Sequence, residues 1–245
     1  MFGVFLNLLY SLYFIFISFF LYFLFSIPIF ITYPFLGRKK HYYYSVFARA
    51  WARTILFLCG LYPKITGRMS DAGKSYIYIF NHQSQLDILI ALAVLPPGFL
   101  FIAKEELFNI PLLGSSMKKC GYIAINRKNT KKARETIEQI NEMVRKGTSI
   151  LIFPEGTRSR TGKLGTVKRG TIMIAFDTET PLLPVVLNPA YKVMPKGSLF
   201  LKRQPIRLVF GHPLVFDWTN RSREYSIKTA ENIEKILSEM LAKIK

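Results

Sequence analysis

The sequence predicts an α/β domain, a mixed, largely parallel sheet flanked by helices, preceded by an apolar N-terminal segment. Two observations carry this. From about Lys64 onward, short β-rich runs alternate with helical stretches, the pattern that lays helices over the faces of a parallel sheet. Ahead of that point, residues 1–37 contain no Asp, Glu, Lys or Arg, so all 34 basic and all 15 acidic residues lie behind them. At 245 residues the chain is long enough for one ordinary domain and an appendage. A hydrophobic share of 50% excludes a disordered chain. The net charge of +19 points to anionic partners: nucleic acid, acidic lipid or phosphorylated small molecules. Two cysteines, Cys59 and Cys120, and three histidines are too few for a zinc framework or a disulfide scaffold, and no metal is expected.

Taken in order, residues 1–26 are almost wholly Phe, Leu, Ile, Tyr and Val. As a helix they would be roughly 40 Å long at ~1.5 Å per residue, against a hydrocarbon core of roughly 30 Å. Some twenty apolar residues at about −0.3 to −0.6 kcal/mol each favour insertion by on the order of −6 to −12 kcal/mol. A helix apolar on every side does not suit the core of an ordinary soluble protein. The segment lacks the basic start and small-residue cleavage site of a signal peptide. Pro28 and Pro34 interrupt it, which allows residues 1–37 either to cross the bilayer or to dip into one leaflet. Arg38, Lys39 and Lys40 then form a basic cluster of the kind that stays on the cytoplasmic side and favours anionic lipid. Residues 42–61 are apolar but carry Arg49 and Arg53, four apart on one helical face. Two readings stand: an amphipathic helix lying at the interface, or a helix packed on the domain with two exposed arginines.

The expected strands are 75–80, 99–103, 122–126, 149–153, 182–187 and 206–210. A helix follows Thr130 as N-cap, with Ala133, Ile137, Ile140 and Val144 on one face and Gly147 as its stop. Another covers 88–95, and the last begins near Arg223 with Ile227, Ala230, Ile233, Leu237, Met240 and Ile244 in one stripe.

Three strand ends carry polar residues that a core does not need, where α/β sheets gather function. The first reads Asn81-His82-Gln83-Ser84-Gln85-Leu86-Asp87. His82 and Asp87 would lie about 140° apart on one helix, but meet if the histidine sits on the loop and the aspartate in the first helical turn. The carboxylate would then fix the imidazole tautomer and leave the other nitrogen as a general base. A structural histidine before a helix capped near Ser84 would give the same sequence. The second reads Phe153-Pro154-Glu155-Gly156-Thr157-Arg158-Ser159, with Arg160, Lys163, Lys168 and Arg169 following. Gly156 would let a ligand approach the backbone, and Arg158 is a planar fork suited to phosphate. A solvated basic loop would look alike. The third is the strand ending Ile125-Asn126-Arg127, whose arginine could equally be an ordinary surface residue.

In combination the blocks are far more specific. Asn-His-x-Ser-x-Leu-Asp, a strand ending Ile-Asn-Arg, Phe-Pro-Glu-Gly-Thr-Arg-Ser and Leu-Pro-Val-Val, in that order over residues 75–188, resemble the glycerolipid acyltransferases. Among them the chain is most similar to the bacterial 1-acyl-sn-glycerol-3-phosphate acyltransferases, the PlsC type. The resemblance implies His82 as general base and Asp87 as its orienter. It implies that Glu155, Gly156 and Arg158 hold the glycerol phosphate together with Arg127. Pro184, Val185 and Val186 match a last block whose role is shape, and Lys104 would neutralise an oxyanion or bind donor phosphates. It implies an acyl thioester, on acyl carrier protein or coenzyme A, as co-substrate with no cofactor, and lysophosphatidic acid and membrane lipids as partners. Residues 1–61 become a two-helix membrane-anchoring segment at the cell membrane, and 62–245 an acyltransferase domain on the cytoplasmic face. Backbone N–H groups near His82 or Gly156 are the expected oxyanion donors.

Rival readings fit less. There is no Gly-x-Ser-x-Gly elbow for a serine hydrolase, and Cys120-Gly121 carries no cysteine-enzyme signature. The stretch from Gly156 to Gly162-Lys163 misses a P-loop by one residue and by Leu164 in place of Ser or Thr. No nucleic-acid-binding module is present. An acyltransferase for another lysophospholipid or for glycerol 3-phosphate keeps the same motifs. A basic, non-enzymatic lipid-binding adaptor explains the anchor and the charge, but not the His-x-x-x-x-Asp spacing beside a Pro-Glu-Gly-Thr-Arg block.

Overall fold

The computed structural model describes residues 2–69, 74–126 and 129–244. Helix α1 (Phe2–Thr32) runs straight through Pro28 and is longer than the proline suggests. Its last turn is held by packing that offsets the lost hydrogen bond: Ile29 is 3% exposed in the core, and Tyr33 meets Tyr44 edge-on with ring centroids 5.8 Å apart. The break comes instead at two 3-10 turns, Tyr33–Phe35 and Gly37–Lys39, after which α2 (Lys40–Leu58) turns back.

One stripe of α1, Tyr10, Phe14, Ile17, Leu21, Phe25, Ile29 and Tyr33, packs on the rest of the protein. Polar ties sit along the same side. The Tyr10 hydroxyl donates to the Cys59 carbonyl (2.6 Å), Leu201 N–H to Ser11 Oγ (2.8 Å), Trp51 Nε1 to the Ser18 carbonyl (3.2 Å) and the Tyr22 hydroxyl to the Leu112 carbonyl (3.0 Å). The opposite side, with Phe16 and Ile31 each 66% exposed, is bare hydrocarbon. By length and composition residues 3–35 could cross a membrane.

Helix α2 follows the second sequence reading in part. Ala52, Ile55 and Leu56 are fully buried, so the helix is packed on the core. Arg53 is exposed and Arg49 half-buried, but both reach back to the domain: Arg53 Nε donates to the Ala93 carbonyl (2.8 Å) and Arg49 Nη2 to the Val94 carbonyl (3.3 Å). These are the last carbonyls of α3 (Leu86–Val94), where orphan acceptors and the negative end of the helix dipole attract cations.

The sheet has seven strands: β1 (Lys64–Thr66), β2 (Ile77–Phe80), β3 (Leu100–Lys104), β4 (Ile123–Ile125), β5 (Ile150–Ile152), β6 (Leu182–Asn188) and β7 (Arg207–Phe210), in the order β1-β7-β6-β2-β5-β3-β4. The five neighbours from β6 to β4 are parallel; β7 runs against β6, and β1 pairs parallel to β7. All six expected strands are present. The unexpected β1 is three exposed residues with no alternation to read. Side chains alternate across the sheet. Tyr78, Phe80, Leu183 and Val185 face a layer of α1, α2, α3 and α4 (Leu113–Lys119). Ile77, Ile79, Ile150 and Leu182 face α5 (Thr130–Arg145), α6 (Arg169–Thr178) and α8 (Arg223–Lys243).

Two details correct the sequence reading. Asn129, not Thr130, caps α5, its Oδ1 accepting from Lys132 N–H (3.1 Å). In α8, Ile227 is 42% exposed and lies off the buried stripe, whereas Ile244, though past the helix end, still packs on the same core. Because β2, β3, β4, β5 and β6 are parallel, their C-terminal ends share one edge of the sheet, and the polar strand ends of the sequence gather there.

Candidate active site

Strand β2 ends at Phe80, and the loop to α3 holds His82. Asp87 is the second residue of α3, the loop-to-helix arrangement the spacing requires. Its Oδ2 accepts three hydrogen bonds: His82 Nδ1–H at 2.7 Å, Gln83 N–H at 2.6 Å and Ser84 N–H at 2.8 Å. The Asp87 side chain is 0% exposed and that of His82 15%. A carboxylate fed by two backbone donors at a helix N-terminus is a pure acceptor, so Nδ1 carries the imidazole proton. Nε2 has no hydrogen-bond partner among the described residues and is left with its lone pair. The ring lies flat on Phe153, centroids 3.9 Å apart and planes 19° from parallel, which fixes its orientation. Such an imidazole can take a proton at Nε2 and return it.

The loop itself is pinned from three sides. Asn81 forms a two-point clamp on β6, Nδ2 to the Leu187 carbonyl (2.9 Å) and Leu187 N–H to Oδ1 (2.7 Å). Ser84 Oγ donates to the Met194 carbonyl (2.8 Å), behind α7 (Ala190–Val193). Gln83 Nε2 donates to the Gly162 carbonyl (3.1 Å).

The loop after β5 closes the neighbouring side. Glu155 is 5% exposed, and its carboxylate bridges two backbone amides, His82 N–H to Oε1 (2.7 Å) and Gly165 N–H to Oε2 (2.7 Å). Burial pushes this carboxyl above the usual range, and the two amide bonds only partly oppose it. The expectation that Glu155 grips substrate meets a different placement: it props up the histidine loop. Gly156 has φ +69, and the space above it is filled by Lys168, whose Nζ would sit 2.8 Å from an added Cβ. The missing side chain thus makes room for a lysine. Ser159 N–H donates to the His82 carbonyl (2.7 Å), which puts Arg158 next to the histidine loop. Arg158 Nη1 is buried with no hydrogen-bond partner. Among the described residues no carboxylate pairs with this guanidinium, so it carries a buried donor without an acceptor.

Four of the expected backbone oxyanion donors are already engaged. His82 N–H goes to Glu155, Gln83 and Ser84 N–H to Asp87, and Gly156 N–H to the Phe153 carbonyl (3.0 Å). Lys104 ends β3, two strands from β2 and so roughly 10 Å along the edge, and its side chain is exposed. Arg127 lies outside the described residues. Sequence reasoning missed Lys196, whose Nζ donates to Thr157 Oγ1 (3.0 Å) and the Arg158 carbonyl (3.2 Å), bracing the arginine loop from nearly forty residues away. No local motif marks it. Lys168, which the sequence offers either as further base beside Arg158 or as part of a solvated loop, packs over Gly156. Cys120 is buried, its thiol pushed up to about 12, which leaves it inert as a nucleophile.

Fold and site together define a class: α/β proteins with a histidine–aspartate pair at the C-terminal edge of a parallel sheet, beside an unpaired arginine. Residues 63–188 match the Acyltransferase family profile, and the chain belongs to that family. It is 36% identical over 172 residues to a 1-acyl-sn-glycerol-3-phosphate acyltransferase of Cocos nucifera, covering 64% of this chain and 56% of that one. With the protein of that name from Borreliella burgdorferi it shares 32% identity over 171 residues, 69% of this chain and 68% of the other. The chain thus spans little more than half the length of the plant relative. The crystal structure of the 1-acyl-sn-glycerophosphate acyltransferase PlsC from Thermotoga maritima superposes with a TM-score of 0.77 at 26% identity, covering 97% of this chain and 95% of that one.

Proposed function

We propose that the protein moves a fatty acyl group from an acyl thioester, on acyl carrier protein or coenzyme A, to the 2-hydroxyl of lysophosphatidic acid. The observation that carries this is the His82–Asp87 pair, with Nε2 unengaged, next to the unpaired Arg158. Arg158, with Arg127, takes the acceptor's phosphate. Lys196 and Lys168 support that loop, and Glu155 and Gly156 shape it. His82 Nε2 removes the proton from the 2-hydroxyl as its oxygen attacks the thioester carbonyl carbon. The tetrahedral oxyanion collapses, the carbon–sulfur bond breaks, and the leaving thiolate takes the proton back from His82. Phosphatidic acid stays in the bilayer. The acceptor is itself the nucleophile, so no acyl-enzyme forms. With those four amides engaged, the N–H groups that follow Gly156 and the side chain of Lys104 are the candidate oxyanion donors.

Residues 1–61 serve as the membrane-anchoring segment and 62–245 as the acyltransferase domain. Helix α1 touches the domain at Ser11, Tyr22 and Phe30, over more than half of its length, which favours a helix lying in one leaflet over one standing across the bilayer. The basic cluster after it sets the domain on the cytoplasmic face. The test is acyl transfer by detergent-held protein, wild type against His82→Ala. Lysophosphatidic acid, glycerol 3-phosphate and lysophosphatidylcholine would be offered with both thioester classes. Histidine-dependent acylation of lysophosphatidic acid supports the reading; full activity in His82→Ala refutes it.

A further inference from the structure

A second lipid-facing feature lies away from the His82 loop, where the end of α1 meets α4. A groove of about 460 Å³ opens there between Tyr33, Phe108, Ile110, Leu112, Lys118 and Lys119. Its rim is greasy: Ile110 is 44% exposed, Leu112 45% and Leu113 43%. Leu112 sits at φ 64, a left-handed backbone that a γ-branched residue adopts only when held. The holding bonds come from α1, through the Tyr22 hydroxyl to the Leu112 carbonyl and the same hydroxyl to Ser116 Oγ (2.7 Å). The apolar rim therefore continues the exposed hydrocarbon face of α1.

The polar end of the groove is cationic. Lys119 Nζ lies 3.3 Å from the centroid of Phe30 and 5.3 Å from that of Tyr33, and Lys40 Nζ is also 5.3 Å from the Tyr33 ring. Among the described residues neither Lys118 nor Lys119 makes a salt bridge. The last carbonyls of α4, which would otherwise attract them, are taken by His41 Nδ1 (2.7 Å, on Lys119) and Gly121 N–H (3.0 Å, on Lys118). The helices around the groove carry no acid of their own, although Glu105 and Glu106 open the turn that leads into it. Helices α1, α2 and α4 contain no acidic residue, whereas α5 carries Glu135, Glu138 and Glu142, and α8 carries Glu224, Glu231, Glu234 and Glu239.

We propose that this groove is a binding site for one anionic phospholipid of the bilayer, its phosphate between Lys118 and Lys119 and the start of its chains on Ile110 and Leu112. The occupant follows from three features: a basic end with no protein counter-ion, an apolar rim, and continuity with the face that meets lipid. A zwitterionic lipid brings its own cation to the lysines and gains less; a free phosphate ion gains nothing from the rim. The inference rests on the membrane-bound reading of α1 and is independent of the acyl-transfer chemistry.

The test is native mass spectrometry of the full chain in detergent, offered phosphatidylglycerol or phosphatidylcholine of the same chains. The Arg158→Gln background removes the phosphate grip of the catalytic loop. One phosphatidylglycerol should be retained per chain in preference to phosphatidylcholine. Lys118→Gln with Lys119→Gln should weaken retention by about ten- to thirty-fold. Lys118→Gln alone, on an exposed side chain, should weaken it by about fivefold without altering thermal stability, and carries the test if the double variant folds poorly. Equal retention of the two lipids, unchanged retention in Lys118→Gln, or loss of phosphatidylglycerol in Arg158→Gln would each overturn the proposal. So would competition by inorganic phosphate as strong as that by lipid.

Discussion

Asp87→Asn isolates the charge of the orienting residue from its shape. The asparagine oxygen can keep the three donors now on Oδ2, and its amide can take the place of Oδ1, which is buried without a hydrogen-bond partner. The fold and the imidazole orientation should therefore survive, with charge-assisted bonds becoming neutral at a cost of about 1–2 kcal/mol in stability. The kinetic loss is larger. When His82 takes the acceptor's proton it becomes an imidazolium, and the carboxylate about 4 Å from its centre stabilises it by about 4 kcal/mol at an effective dielectric of about 20. Losing that term lowers kcat about a thousandfold, at 1.36 kcal/mol per decade. The assay is thiol release at saturating thioester and lysophosphatidic acid, with KM for the acceptor expected to stay within about threefold. A kcat within about tenfold of wild type would refute the idea that Asp87 acts through the charge on His82.

Four further outcomes are expected. Arg158→Gln should raise KM for lysophosphatidic acid by about 10- to 100-fold and leave kcat nearly intact; an unchanged KM would remove Arg158 from the phosphate site. Lys196→Met should reproduce a weaker version of that KM effect, since Lys196 braces the arginine loop and need not touch substrate; steady-state kinetics on both variants decide it. Glu155 binds its proton more tightly folded than unfolded, so its contribution to unfolding free energy falls as pH rises from the usual carboxylate range through its raised folded value. Glu155→Gln should flatten that part of a melting-temperature profile while lowering activity, because the two N–H groups of His82 and Gly165 bind different oxygens and the amide NH2 that replaces one of them cannot accept. Deleting residues 1–37 strips Leu21 and Ile29 from the core and uncovers Trp51, so the product should aggregate or melt earlier; a stable, soluble protein would mean that α1 is only a tether.

The sheet was legible because its strands are short, β-rich and punctuated, and because helices between them keep a 3.6-residue apolar stripe, as Ile140 and Val144 do on α5. The His82–Asp87 meeting could be foreseen from their spacing once one residue was put on the loop and the other on the helix. Three things could not. The arginines of α2 read as a solvent- or headgroup-facing stripe, yet they answer the carbonyls of a helix forty residues on. The family resemblance alone assigns Glu155 to the phosphate; only the fold shows both oxygens turned inward to amides. Lys196 joins the site through tertiary contact alone, and no local pattern encodes a partner so distant in the chain.

The Leu201 amide rests on Ser11 of the apolar helix, while seven residues earlier the Met194 carbonyl holds Ser84 of the histidine loop and, between them, Lys196 holds Arg158. Anchor and reaction centre are thus mechanically in series through one short span of chain. If α1 seats in lipid and His82 is the base, as proposed, a displacement of α1 by a change in bilayer thickness, detergent or lateral pressure would reach the loops of His82 and Arg158 through this span, and the lipid environment would act as an adjustable mount for the chemistry as well as a place to stand.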